Sequence, residues 1–137
     1  MFEADRAQHV EEVIRPGLKS GKIVLCCRYC DSTRAYQGYG RGLDLKFIDA
    51  LNERATGGLD PELTILLDID PKQGMKRGGR HDRMERQSDK FHQKVRRGFL
   101  DLARKNKNRF KVIDARLPIG TVAAKIEKVL EKCTRKK

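Results

Sequence analysis

The stretch Leu63-Thr64-Ile65-Leu66-Leu67-Asp68-Ile69, followed by Asp70-Pro71, decides the fold. Its nearly continuous apolar run is typical of a strand buried on both faces of a parallel sheet. The runs at 23–27 and 110–114 have the same character. Because segments with helical periodicity alternate with these runs, the sequence predicts an α/β fold, a three-layer parallel sheet with helices on both faces. Residues 63–69 and 110–114 are expected to pair directly.

The predicted helices are amphipathic and have recognisable ends. Their apolar stripes cover residues 2–14, 43–51, 91–103 and 122–133, and a further short helix is expected after Pro71. Pro16-Gly17 is predicted to end the first helix, and Gly57-Gly58 to close the second at a left-handed cap. The glycine-rich residues 28–42 are expected to form a loop whose glycines provide conformational freedom.

Length and charge restrict the class of protein. A chain of 137 residues predicts one domain, 1–137, with a basic tail at 134–137. Its net charge of +12 attracts polyanions, but the Lys and Arg residues are scattered and no binding motif stands out, so no specific nucleic-acid partner is predicted. No apolar run is long enough to span a bilayer, and the start has no secretory pattern. A cytoplasmic protein without a membrane partner is therefore expected.

The cysteine pattern favours free thiols. Cys26, Cys27 and Cys30 are crowded together and Cys133 is distant, unlike the spread of a disulfide framework. Cys27 and Cys30 have the spacing of half a zinc site or a redox pair, but no second Cys/His pair follows. No metal site is predicted.

Polar segments follow the three predicted strands. They are residues 28–42, 68–70 and 114–118. Ligands of open α/β sheets bind beyond the carboxyl ends of the strands. The three segments are therefore the predicted ligand-binding regions.

The segment Asp31–Gly42 closely resembles the signature loop of bacterial thymidylate kinases. Residues 4–9, 61–68, 82–85 and 112–115 follow the order and spacing of that family. The resemblance implies a P-loop-kinase-like sheet and phosphoryl transfer from ATP to dTMP, which gives dTDP and ADP for dTTP synthesis. It also implies magnesium as a cofactor and a homodimer.

Arg28 follows a predicted strand, so its guanidinium would face the site as a fork for two phosphate oxygens. The resemblance implies that it holds the dTMP phosphate and acts in catalysis. Phe2 and Arg6 lie one helical turn apart and share a face. The matching family residues grip thymine, by ring stacking and by donation to a base carbonyl. A core Phe beside a solvated Arg is the alternative.

Three residues of the signature segment complete the substrate site that the resemblance implies. Thr33 and Gln37 offer a hydroxyl and an amide that read a pyrimidine edge. Tyr36 matches the tyrosine that lies under the sugar and leaves no space for a ribose hydroxyl. Ordinary loop capping is the alternative for these side chains.

Residues 77–86 resemble the lid that closes over ATP. Arg80 or Arg83 is the predicted catalytic arginine of this lid, because a mobile cation can position and neutralise a phosphoryl group in transfer. Arg77 is predicted to lie against adenine, and Arg116 to join it in binding the ATP cofactor. A solvated basic loop is the alternative.

Two features depart from the family. No glycine-rich phosphate loop with Lys and Ser/Thr occurs, so the chain matches the C-terminal portion of these enzymes, and the first strands of its sheet are expected to be absent. Cys27 occupies the position of an aspartate that helps to hold magnesium. Two hypotheses follow: a thymidylate kinase that is inactive as this isolated chain, or a non-catalytic nucleotide-binding remnant.

Overall fold

A computed structural model describes residues 2–77 and 87–134, with residue 2 as backbone alone. The chain divides into two units, Met1–Asp60 and Pro61–Lys137, which are treated separately below. The predicted single domain and its lid and tail divisions stay predictions. No helix in the described ranges is both long and apolar enough to cross a membrane.

The first helical segment of the first unit passes through Pro16, so the prediction that it ends there is wrong. It consists of α1 (Phe2–His9), a π-helical turn (Val10–Ile14) and α2 (Arg15–Lys19). Pro16 lies in the first turn of α2, where the missing N–H group is tolerated. The wider π-helical turn, in which the Arg15 N–H donates to the Val10 carbonyl oxygen, joins the two helices.

Residues 23–27 were predicted to be a buried strand, and this prediction is wrong. The segment has no regular secondary structure, and the exposed fractions of Ile23 and Leu25 are 83% and 95%. A strand exists only where a neighbour pairs with its N–H and C=O groups. The described ranges supply no such neighbour to residues 23–27.

The glycine-rich segment is helical, which corrects the predicted loop. It forms α3 (Cys30–Thr33) and a second π-helical segment (Arg34–Gly40). Gly42 does supply conformational freedom, with a φ of 80°. Gly38 has a different role, because a Cβ there would collide with Leu45 Cδ2. Close packing therefore explains Gly38.

The next helix, α4 (Leu45–Thr56), confirms the predicted boundaries at its C-terminal end. Asp44 caps its start by accepting a hydrogen bond from the Lys46 N–H group, at 2.7 Å. Gly57 ends it in the left-handed conformation, with a φ of 57°. Helix α1 packs against α4. The apolar core of this unit is formed by Val10, Ile14, Cys30, Ala35 and Ile48.

The second unit follows the predicted alternation of strands and helices. Its elements are β1 (Thr64–Asp68), α5 (Pro71–Met75), α6 (Asp89–Lys105), β2 (Phe110–Asp114) and α7 (Ile119–Thr134). β1 and β2 are parallel and directly paired, from Thr64 opposite Phe110 to Asp68 opposite Asp114. Helix α6 packs against both strands and α7 against β2. The predicted pairing is confirmed, and the two-stranded sheet agrees with an incomplete α/β fold.

Candidate functional site

Arg6 and Thr33, both predicted to bind the base, are in direct contact. Arg6 Nη2 donates to Thr33 Oγ1 at 2.8 Å, and Nη1 donates to Asn52 Oδ1 at 3.0 Å. The same Nη1 forms an ion pair with Glu3. A guanidinium has five N–H donors. These contacts use three, so the guanidinium keeps donors for a carbonyl oxygen.

Asn52 and Glu3, which hold Arg6, were missed at the level of sequence. Asn52 lies on the buried face of α4, one turn after Ile48, and is 2% exposed. Its Nδ2 and the Glu3 Oε1 are buried and have no hydrogen-bond partner among the described residues. The available signal was a polar residue on an apolar helical stripe. Such a residue is expected to be hydrogen-bonded.

Arg28 and Tyr36 are also brought together. The Arg28 guanidinium carbon lies 5.0 Å from the centre of the Tyr36 ring, within cation–π range. Arg28 is exposed and has no carboxylate partner within residues 2–77 and 87–134. Its φ of 68° is unusual for a residue other than glycine. Arg28 thus follows an irregular segment instead of a strand, and its charge is open to an anion.

Arg6 and Arg28 line the same cavity of the first unit. Its volume is about 260 Å³, and its lining consists of Asp5, Arg6, His9, Cys26, Arg28 and Tyr29. The side chain predicted to contact the base and the one predicted to contact the phosphate therefore share one concave surface. Thr33, Tyr36 and Gln37, the other residues with described side chains that are predicted to bind the substrate, are not among its lining residues.

Burial raises the pKa values of the Tyr29 hydroxyl and the Cys30 thiol, so both groups stay neutral. Burial, reinforced by the nearby Cys30, raises the pKa of Tyr29 to about 12, and the Tyr29 hydroxyl donates to the Leu59 carbonyl oxygen at 2.9 Å. Burial also raises the pKa of Cys30 to about 11. Neither group carries charge near neutral pH. The charged side chains that line the cavity are therefore those of Arg6 and Arg28 together with the carboxylate of Asp5, and His9 adds an imidazole.

Gln37 and Arg34 are not among the residues that line the cavity. Gln37 is half-buried in the π-helical segment, and no hydrogen bond of its side-chain amide is found in the described part of the chain. Arg34 forms ion pairs with Asp49, at 2.6 Å, and with Asp31, at 3.2 Å. Its charge is thus already engaged.

In the second unit, charged residues meet at the carboxyl ends of the paired strands. Asp68 and Asp114 are register partners, and Asp68 accepts two hydrogen bonds from Arg96, at 2.7 and 2.8 Å. Asp70 accepts from Gln93 Nε2 at 3.1 Å. The strand-end rule found the carboxylates but not Arg96, whose helical position is determined by tertiary packing.

Arg77 and Arg116, the predicted ATP contacts, are adjacent. Arg77 Nη1 donates to the Ala115 carbonyl oxygen at 2.7 Å. Arg116 Nη2 donates to Asp114 Oδ2 at 2.8 Å. Hydrogen bonds from Arg116 lower the pKa of Asp114 to about 2. Both roles stay predictions, and Arg80, Arg83 and the Phe2 side chain lie outside the described residues.

The donors at the predicted magnesium position do not fit that ion. Cys27, which is predicted to replace an aspartate of the family, is exposed. A thiol is a poor ligand for a hard cation that prefers oxygen. The described residues contain no group of three or more His, Cys, Asp or Glu side chains that could hold a metal ion.

The first unit contains a cavity that two arginines line, and the second unit contains a parallel sheet against which helices pack. A sequence model of the family described as thymidylate kinase matches residues 1–126. The chain belongs to the thymidylate kinase family.

Similar proteins support the same assignment. The thymidylate kinase of Desulfovibrio desulfuricans is 46% identical over all of this chain and 68% of its own length. The thymidylate kinase of Geotalea daltonii is 53% identical over 83% of this chain and 58% of its own length. A crystal structure of the thymidylate kinase from Ehrlichia chaffeensis has a TM-score of 0.72 at 36% identity, over 94% of this chain and 60% of that one. The chain thus spans about three fifths to two thirds of the length of these relatives.

Proposed function

We propose that this chain carries the dTMP-binding part of a thymidylate kinase, which transfers a phosphoryl group from ATP to dTMP to give dTDP and ADP. The observation that carries the proposal is the shared cavity of Arg6 and Arg28. Each arginine contacts a second predicted substrate residue, Thr33 and Tyr36 respectively. The cavity therefore links the pair predicted to bind the base with the pair predicted to bind the phosphate and the sugar.

Each side chain has a distinct role in this proposal. Arg6 donates to a thymine carbonyl oxygen, and Thr33, fixed by Arg6, faces the adjacent ring edge. Phe2 stacks on the base, and Gln37 adds a polar contact. Tyr36 lies beside the sugar, and Arg28 above it holds the phosphate as a charge-assisted fork.

The donor side of the reaction is assigned to the second unit and the lid. Arg77 and Arg116, which are in contact through the Arg116 carbonyl oxygen at 3.4 Å, are proposed to bind ATP. Arg80 or Arg83 is proposed to neutralise charge on the transferred phosphoryl group. The family resemblance supports these assignments.

A non-catalytic nucleotide-binding protein is the second candidate. The observation that favours it is Cys27, because the thiol replaces an oxygen ligand of magnesium. Such a protein would retain dTMP without converting it. An assay of ADP formation separates the two candidates.

Calorimetric titration with dTMP tests the site. Arg28→Ala should weaken binding by about 10-fold to 150-fold, because a hydrogen bond to a charged group contributes roughly 1.5–3 kcal/mol. Arg41→Ala is the matched control, since Arg41 is also exposed and the change should alter affinity by less than about twofold. Arg34 is unsuitable as a control because its ion pairs would be lost. Equal losses for Arg28→Ala and Arg41→Ala would remove Arg28 from the site.

We also propose a homodimer, which the family resemblance supports. Sedimentation equilibrium measures the mass in solution, and a monomer at micromolar concentration contradicts the proposal. The cytoplasmic location stays a prediction from sequence.

A further inference from the structure

The cysteines beside Arg28 have no role in the proposed reaction. Cys26 lines the cavity that contains Arg6 and Arg28, and Cys27 is exposed. Cys30 is only 2% exposed and belongs to the apolar core. One thiol inside the cavity thus adjoins a second thiol that solvent can reach.

The backbone allows both sulfur atoms to reach a common centre. The Cα atoms of consecutive residues are about 3.8 Å apart. Residues 22–26 have no regular secondary structure, so no ladder of hydrogen bonds holds Cys26 on the opposite side from Cys27. The turn is compact, because the Cys26 thiol contacts the Arg28 carbonyl oxygen at 3.4 Å.

We propose that Cys26 and Cys27 form a chelating site for trivalent arsenicals, located in the wall of the nucleotide cavity. An arsenical of the form R–As=O forms one As–S bond to each thiol. The As=O bond breaks, and its oxygen leaves as water with the two thiol protons. No electron is transferred, so no oxidant or reductant is needed.

Cys26 enters this condensation as a protonated thiol. Burial and the adjacent Cys27 raise the pKa of Cys26, so its thiol is protonated at neutral pH and carries the proton that leaves with water. Soft sulfur ligands favour a soft centre over magnesium or calcium. The same Cys27 that fits magnesium poorly is therefore suited to arsenic.

Loading would affect the cavity in two ways. The organic group of the arsenical would enter a space of about 260 Å³ that Arg6 and Arg28 also line. The As–S bond would also replace the contact between the Cys26 thiol and the Arg28 carbonyl oxygen, which closes the turn. We therefore expect loading to exclude a nucleotide phosphate from Arg28. This last step depends on the proposed function.

Intact-protein mass spectrometry with phenylarsine oxide tests the site. The wild-type chain should retain one phenylarsenic group, which excess 2,3-dimercaptopropanol removes. Cys26→Ser and Cys27→Ser should each lose the adduct, whereas Cys133→Ser, a change in the second unit, should keep it. Cys30→Ser should also keep it. Adduct retained in either of the first two variants overturns the proposal. Adduct lost in Cys30→Ser also overturns it, because Cys30 would then be one of the two ligands.

A second measurement connects the site with the cavity. dTMP at saturating concentration should slow the rate of adduct formation by at least about fivefold, and the loaded chain should no longer bind dTMP. If the unmodified chain does not bind dTMP, the proposed function fails while the mass result still decides the thiol site. If dTMP binds equally to the loaded chain, the thiols lie outside the nucleotide site and the proposed placement is wrong.

Discussion

Replacing Asn52 by Leu should weaken dTMP binding while leaving the fold almost as stable as before. The change keeps the size of the side chain but removes the oxygen that accepts from Arg6 Nη1. The lost hydrogen bond to a charged group is worth roughly 1.5–3 kcal/mol. The change also removes the buried Nδ2, which has no partner in the described part of the chain and costs roughly 1–3 kcal/mol. The two effects nearly cancel, so the free energy of unfolding should change by less than about 1 kcal/mol.

Binding should respond more strongly because Arg6 loses one of its three anchors. Glu3 and Thr33 remain, but they no longer fix the guanidinium completely. An arginine side chain carries about 2 kcal/mol of rotamer entropy. If the released side chain regains half of this entropy and loses it when dTMP binds, the binding free energy weakens by about 1 kcal/mol, which is roughly a fivefold loss of affinity. Asn52→Asp keeps an acceptor oxygen opposite Arg6 and should restore most of this loss.

Urea denaturation and calorimetric titration measure the two effects, with Lys46→Gln on an exposed part of the same helix as the control. NMR of the Arg6 Nη–H groups adds a readout that does not require ligand, since a guanidinium released from Asn52 exchanges its protons faster. Unchanged dTMP affinity together with an unchanged Arg6 signal would refute the positioning role of Asn52. A loss of more than about 1 kcal/mol of stability would refute the cancellation.

The remaining predictions concern turnover and the second unit. With ATP, magnesium and dTMP the chain should form no ADP above background, because its sequence contains no glycine-rich phosphate loop; a robust rate abolished by Arg28→Ala contradicts this. Arg96→Leu should lower the free energy of unfolding, measured in urea, by about 1–2 kcal/mol. The reason is that half-buried Asp68 loses a bidentate partner, which is itself partly exposed. Adding Asp68→Asn to the same chain should recover part of the loss. Asp114 has a pKa of about 2, below the usual value of about 3.9, so its contribution to stability is complete above that usual value and is lost as the pH falls towards 2. Asp114→Asn should therefore reduce stability above pH 4 but not at pH 2, and an equal difference at both pH values rules out the Arg116 interaction as its cause.

Sequence predicted the second unit well because its signals are local. Each strand and helix of this unit is recognisable from its own residues. The strands β1 and β2 are apolar runs, and the helices α6 and α7 carry apolar stripes. The strand-end rule pointed to residues 68–70 and 114–118 as ligand-binding regions, and the structure makes Asp68 and Asp114 register partners. Arg96 was missed because only packing of α6 on the strands determines which charged residue of that helix meets Asp68.

The first unit was harder to predict because its apolar and glycine signals depend on neighbours. The run at 23–27 indicates burial, but a strand also needs a paired backbone, which the described residues do not provide. Glycine at position 38 suggested a loop, whereas it permits close packing against Leu45 within a helical segment. The contact of Arg6 with Thr33 agrees with the family resemblance, yet the anchors Glu3 and Asn52 became visible only in three dimensions.

The net charge of +12 does not show which arginines can bind a ligand, but the ion pairs do. Arg34 is paired with Asp49 and Arg116 with Asp114, so a carboxylate already compensates the charge of each. Within residues 2–77 and 87–134, Arg28 has no carboxylate to displace and lies only against the ring of Tyr36. Its left-handed backbone conformation costs of order 1–3 kcal/mol, which the surrounding turn must offset. An unpaired charge held at that cost beside a cavity is better explained by binding of a phosphate than by stability of the fold, and Arg28 is therefore the first residue on which the proposed function should be tested.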